Sequence, residues 1–202
     1  MAMSSLDPCR TPCYLWADAA RLVGVAPATL ARWTQGAVPL VATAPRVVEG
    51  HRYLAFLALA ECWGVQALRH AGWTPARIAA AVAPVRRAGG PAATCASQSF
   101  LGRVLVDAST LPLPWEADPD CPVALLLPLG STVARLDPRR RFGRPHIAGV
   151  PVDALWEGIG AGESFDAVAA DYAVPRAVVE NVAAHWHGGA PHRAAPRHRA
   201  GL

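Results

Sequence analysis

The segment YLWADAARLVGVAPATLARWTQG, Tyr14 to Gly36, repeats apolar residues at helical spacing, breaks at Gly24, restarts with Pro27 at a first helical position and stops at Gly36. This is the pattern of helix, tight turn, helix. Ala20, Leu22, Val25, Leu30 and Trp33 fall on the inward side, where they join the two helices, and Ala28, Thr29, Arg32 and Gln35 fall on the outward face of the second. A face of this kind is suited to a DNA groove, with Arg32 expected at a base edge. For Thr29 and Gln35, base contact and an ordinary solvated helix face fit equally well. Ala26 takes the N-cap position, where Ser or Thr would satisfy a backbone N–H.

Moving outward, VPLVATAPRVVEGHRY, Val38 to Tyr53, has short β-branched runs separated by a Pro-containing turn and reads as a two-stranded wing carrying Arg46, His51 and Arg52 toward phosphates. A long helix is expected from Tyr53 to Ala71. Only Glu61, Gln66, Arg69 and His70 are strongly polar in it, so it must be buried on more than one side, and a second copy of the chain is the expected cover. TPARIAAAVAPVRRAGG, from Thr74, adds a helix with Thr74 as cap and Pro75 at its first position. Between 91 and 136 the runs FLGRVLVDAS and PVALLLPLG read as two or three strands among Pro- and Asp-rich turns. Asp107, Asp118, Asp120 and Asp137 read there as turn formers.

The C-terminal part returns to helix: VPVDALWEGIGAG, then SFDAVAADY with Ser164 as N-cap, then a helix opening at Pro175. Leu155, Trp156, Phe165, Val168, Tyr172, Val178 and Trp186 are its expected core. Ahead of it, RRRFGRPHIAGV puts Arg139, Arg140, Arg141 and Arg144 within six residues. Such a cluster suits phosphates, the carboxylate-lined cation pocket of a partner protein, or plain solvent. From Gly188 the chain reads as a basic, disordered tail.

Composition limits the alternatives. The 202 residues are 52% apolar, enough for one large core or two small ones. All 19 basic Lys/Arg positions are arginine, which together with the Ala and Pro excess reads as GC-rich codon usage, and the net charge is +4. No signal-peptide pattern or membrane-length apolar run is expected, so the reading is cytoplasmic with no membrane contact. Five cysteines without a Cys-x-x-Cys pair point to reduced thiols. His185, His187, His192 and His198 lack metal-ligand spacing, and no phosphate loop, nucleophile elbow or paired carboxylates stand out. Neither a metal, another cofactor nor catalysis is expected.

The stretch FGRPHIAGVPVDALWEGIGAGESFDAVAADYAVPRAVVENVAAHW, Phe142 to Trp186, resembles the small prokaryotic antitoxin domain of VapB type in its Gly-Arg-Pro, its Gly-bounded short strand and its helix order. Val150 and Pro151 depart from it, where many members carry Thr and Arg. The N-terminal half is similar to the MerR-like helix-turn-helix. The resemblance implies an antitoxin that binds operator DNA, represses its own operon as a homodimer, and neutralises a PIN-like ribonuclease toxin. DNA contacts would come from Thr29, Arg32, Gln35, Arg46, His51 and Arg52, and toxin contacts from Arg139, Arg140, Arg141 and Arg144. Gly143 and Arg144, inside the pattern, would also serve the fold. Competing readings are a MerR-like regulator answering a small ligand and a purely structural interaction protein. The expected architecture is mainly α: a winged helix-turn-helix with a dimerisation helix (1–90), a strand-rich linking region (91–136), a three-helix C-terminal domain (137–187) and the tail (188–202).

Overall fold

The computed structural model describes residues 8–41, 43–87, 115–116 and 124–186. The expected strand in 100–109, the histidines from His187 on and the basic tail lie outside them, as do Asp107, Asp118 and Asp120. Two compact units emerge, one from Met1–Leu126 with Asp137–Gly143, the other from Leu127–Leu136 with Arg144–Leu202.

In the first unit, β1 (Pro12–Leu15) leads into α1 (Trp16–Val23) and α2 (Pro27–Gln35). The turn is closed by the N–H of Gly24 on the Arg21 carbonyl (3.0 Å) and of Val25 on the Ala20 carbonyl (2.9 Å), which stops α1 and lets Pro27 open α2. Ala20, Leu22, Leu30 and Trp33 are buried between the helices, whereas Val25 is only half-buried. The N-cap Ala26 makes no side-chain bond, as its methyl group dictates.

The wing is β2 (Arg46–Val48) paired antiparallel with β3 (His51–Ala55) around Glu49 and Gly50, so the turn is not the Pro-containing one ahead of Arg46 that the β-branched runs suggested; both strands lie beyond Pro45. Both turn residues have positive φ, 50° and 78°, the left-handed pair of a two-residue hairpin. β1 adds a third strand on the far side of β3, in the order β1-β3-β2. That pairing corrects the start of the next helix. Tyr53, Leu54 and Ala55 are held in the ladder by Arg46, Tyr14 and Pro12, so α3 runs Phe56–His70.

α3 is buried nearly all round within its own chain, from Phe56 through Leu59, Cys62 and Val65 to Leu68. The apolar circumference that called for a second copy is therefore already covered. Glu61, 2% exposed, is explained by Thr43, whose N–H (2.9 Å) and hydroxyl (3.2 Å) both donate to its carboxylate. This bond pins the connection between α2 and the wing to α3. α4 (Pro75–Arg87) begins as expected, with the Arg77 N–H donating to Thr74 Oγ1 at 3.2 Å. β4 (Trp115–Glu116) pairs antiparallel with the start of β5 (Ala124–Leu129).

The second unit corrects the fold class. It is not three helices alone, and the chain is not mainly α. The end of β5, β6 (Thr132–Leu136), β7 (His146–Ile147) and β8 (Val150–Pro151) form an antiparallel sheet in that order, ahead of α5 (Val152–Gly160), α6 (Phe165–Asp171) and α7 (Arg176–His185). With an antiparallel sheet in each unit, helix and sheet share the fold. Two-residue strands have no periodicity to read, so GRPHIAGV carried a hairpin that spacing could not show. Ser164 caps α6 by accepting from the Ala167 N–H at 3.2 Å, as expected. Val152, Leu155, Val168, Val179, Val182 and Trp186 are buried, whereas Tyr172 is exposed and Trp156, Phe165 and Val178 are half-buried. The expected core was thus right for part of each helix and one residue out of phase on α7.

Asn181 of α7 fastens the β5–β6 turn. Its Nδ2 donates to the hydroxyls of Ser131 (3.1 Å) and Thr132 (3.2 Å), and its Oδ1 accepts from the Ser131 N–H at 3.3 Å.

Candidate nucleic-acid interface

Helical spacing places Thr29, Arg32 and Gln35 on one side of α2. Arg32 and Gln35 are exposed and Thr29 is half-buried. The Arg32 guanidinium accepts nothing and donates to Thr29 Oγ1 at 3.2 Å, a contact within the helix face that leaves its remaining donors to solvent.

From the wing, Arg52 donates through Nη1 to Gln35 Oε1 (3.1 Å), and its guanidinium carbon lies 5.8 Å from the ring centre of Trp16. The side chain of a strand residue is thereby fixed between the end of α2 and the start of α1. A cation-π approach to an indole and a bond to an amide cost the guanidinium little, because neither partner carries charge to neutralise it. Its positive charge stays available to a phosphate.

The hairpin register divides the remaining wing residues. Arg52 stands opposite Val47, while Arg46 stands opposite Tyr53 and His51 opposite Val48. The pleat therefore puts Arg46 and His51 on the other face of the two-stranded ribbon from Arg52. Both are exposed. Of the six expected DNA-contacting residues, the fold joins Gln35 with Arg52 and Thr29 with Arg32, and it carries Arg46 and His51 on the second face of the wing. Trp16, the platform under Arg52, was missed. Its only signal was position, at the first turn of α1 directly after the strand.

The four arginines expected to meet a toxin are divided between the units, Arg139 to Arg141 in the first and Arg144 in the second. Asp137, 4% exposed, organises the first two of them. Its carboxylate accepts the Arg139 N–H at 2.9 Å, lies 3.4 Å from Arg139 Nε and 3.8 Å from Arg140 Nε, and its carbonyl accepts the Arg140 N–H at 2.9 Å. Asp137 is thus the turn former it was read as. Arg144 is half-buried, and its carbonyl lies 3.3 Å from His146 Nδ1.

At the other end of this turn, the Tyr14 hydroxyl donates to the Gly143 carbonyl at 2.8 Å. Burial, with the neighbouring Cys13 thiol next in size, pushes the Tyr14 hydroxyl well above the ordinary phenol range, so it keeps its proton and its donor role. Burial also pushes the Cys13 thiol up to about 12 and raises Cys62 well above an ordinary thiol. Cys9, Cys13 and Cys62 carry no disulfide. Among the described residues no cluster of His, Cys, Asp and Glu could hold a metal ion, and no helix is long and apolar enough to cross a membrane.

No family model matches the chain, and no curated protein matches it. Among solved structures it is similar to the X-ray crystal structure of Rv2018 from Mycobacterium tuberculosis, with a TM-score of 0.65 and 25% identity over 86% of this chain and 98% of that one.

Proposed function

We propose that this protein is an antitoxin that represses its own operon by binding operator DNA through α2 and the wing, and that neutralises a PIN-like ribonuclease toxin by direct binding. The observation that carries the reading is the seat of Arg52, held by Gln35 and lying over the Trp16 ring beside the exposed Arg32 face. A cation pre-positioned next to an open helix face is what phosphate contact flanking base readout requires. The toxin half rests on the resemblance of Phe142 to Trp186, and is supported by a second unit with its own buried core. Arg144 is the arginine of that unit which the reading assigns to the toxin, while Arg139 to Arg141 fold with the DNA-binding unit. A homodimer belongs to the reading as the means by which one recognition helix per chain meets two half-sites about 34 Å apart. A DNA partner puts the protein in the cytoplasm.

Selection from a random duplex library tests the DNA half. The wild-type chain is expected to enrich one palindromic motif, and Arg32→Ala to lose about 1–3 kcal/mol on that motif together with its base preference. Failure to enrich any motif removes the DNA reading. Failure of the chain to inhibit or co-purify with a PIN-like ribonuclease encoded beside it removes the toxin reading.

A further inference from the structure

Arg141, Phe142 and Gly143 are three consecutive left-handed residues, with φ of 49°, 56° and 75°. Only glycine takes that conformation without steric cost; the Cβ atoms of the other two crowd the following carbonyls. The turn persists because both its ends are tied. Asp137 holds Arg139 and Arg140 at one end, and the Gly143 carbonyl is held by Tyr14 at the other, with the Gly143 N–H closing on the Arg140 carbonyl at 3.0 Å.

Among the described residues the Phe142 side chain packs into no core. The turn lifts it into solvent, 72% exposed, more than any other large apolar side chain among the described residues. Directly ahead of it in the chain come Arg140, with a side chain 71% exposed, and Arg141, whose guanidinium has no partner among the described residues. An exposed phenyl ring next to two arginines on a turn tied at both ends is built to meet something outside the chain.

We propose that this turn is a second contact to duplex DNA, independent of base sequence, with Arg140 and Arg141 on phosphates and the Phe142 ring against the deoxyribose walls of the minor groove. The inference rests on the reading that the first unit binds DNA, and three observations favour DNA over a protein as occupant. The turn folds with the helix-turn-helix unit. Its anchor Tyr14 lies two residues, about 7 Å of extended chain, from Trp16, the platform of Arg52. Its one carboxylate, Asp137, is buried and already faces two guanidinium groups, so the surface it presents is cationic. Basic side chains acting together with an apolar residue are a known means of engaging the minor groove.

The test is anisotropy titration of the full chain against a labelled random-sequence duplex at several salt concentrations, with thermal melts alongside. Arg140→Ala and Arg141→Ala should each lower the slope of log affinity against log salt by about 0.9. Phe142→Gly should weaken binding about tenfold while the melting temperature does not fall, since glycine accepts the left-handed backbone. A ring retained for folding would instead give a lower melting temperature, and that result overturns the proposal. Unchanged affinity and slope in all three variants, with Arg52→Ala still weakening binding, overturns this contact alone and leaves the turn to a protein partner. No duplex binding by the wild-type chain overturns the DNA reading beneath it.

Discussion

At the scale of single residues, the Tyr14 hydroxyl decides what can stand at 143. A Cβ there would run into that hydroxyl, and φ is +75°, so both space and backbone demand glycine. Gly143→Ala should cost about 2–4 kcal/mol in urea unfolding, the sum of a left-handed alanine and an overpacked contact. Glu49 is the opposite case. It takes a left-handed conformation at the exposed wing tip with φ 50°, in a turn whose favoured sequence is Asn-Gly. Glu49→Asn should raise stability by about 0.5–1 kcal/mol without changing the fold, seen as a higher melting temperature. That a turn lies between Val38 and Tyr53 was legible, although the proline drew it ahead of Arg46 and the hairpin in fact turns at Glu49 and Gly50. The demand on Gly143 was not legible, because the atom that imposes it is 129 residues away.

At the scale of elements, helix ends explain why so much of both units could be read directly. Pro27 opens α2, Thr74 caps α4 and Ser164 caps α6, each acting on backbone groups within three or four residues. The junctions between elements depend instead on side chains meeting at a distance. Gln35 and Arg52 were each marked as DNA-facing, but nothing local showed that one would hold the other over Trp16. Arg52→Ala should weaken binding to all duplexes alike and lower the salt slope by about one, since it removes a phosphate contact and no base contact. In the second unit, Asn181→Ala strips the β5–β6 turn of its bonds to α7. The expected loss is about 1–2 kcal/mol by denaturant titration, with Asn181→Asp restoring little because a carboxylate cannot donate to the two hydroxyls.

For the whole molecule, the buried thiol and phenol set an alkaline limit. The folded chain keeps the Cys13 proton up to about pH 12, whereas an unfolded chain releases it near the ordinary 9.0. Between those values the folded state binds more protons than the unfolded one, so stability is complete below pH 9 and falls as pH rises. Tyr14, raised for the same reason, adds to the fall above pH 10. Urea midpoints should therefore decline from pH 9 upward, and Cys13→Ala should flatten the decline at its start. A midpoint that holds constant between pH 9 and 11 would contradict this account. The same scale shows why the all-round apolar α3 gives no argument for a dimer: one chain folds enough sheet and helix around it to bury both sides.

The sequence by itself determined α1, α2, the presence of a wing after them, α4 and the order of the three C-terminal helices, because these depend on caps, prolines, glycines and periodicity acting within a few residues, while the turn of the wing fell at Glu49 and Gly50 and not at the proline. Tertiary structure alone decided that Pro12–Leu15 is a third strand, that the second unit has a sheet, that Glu61 is buried against Thr43, and that Asp137 to Gly143 folds with the first unit. Each of these is a pairing between distant segments. It pays in hydrogen bonds and buried area once the chain has closed on itself, and it leaves no mark on the spacing of the residues that take part.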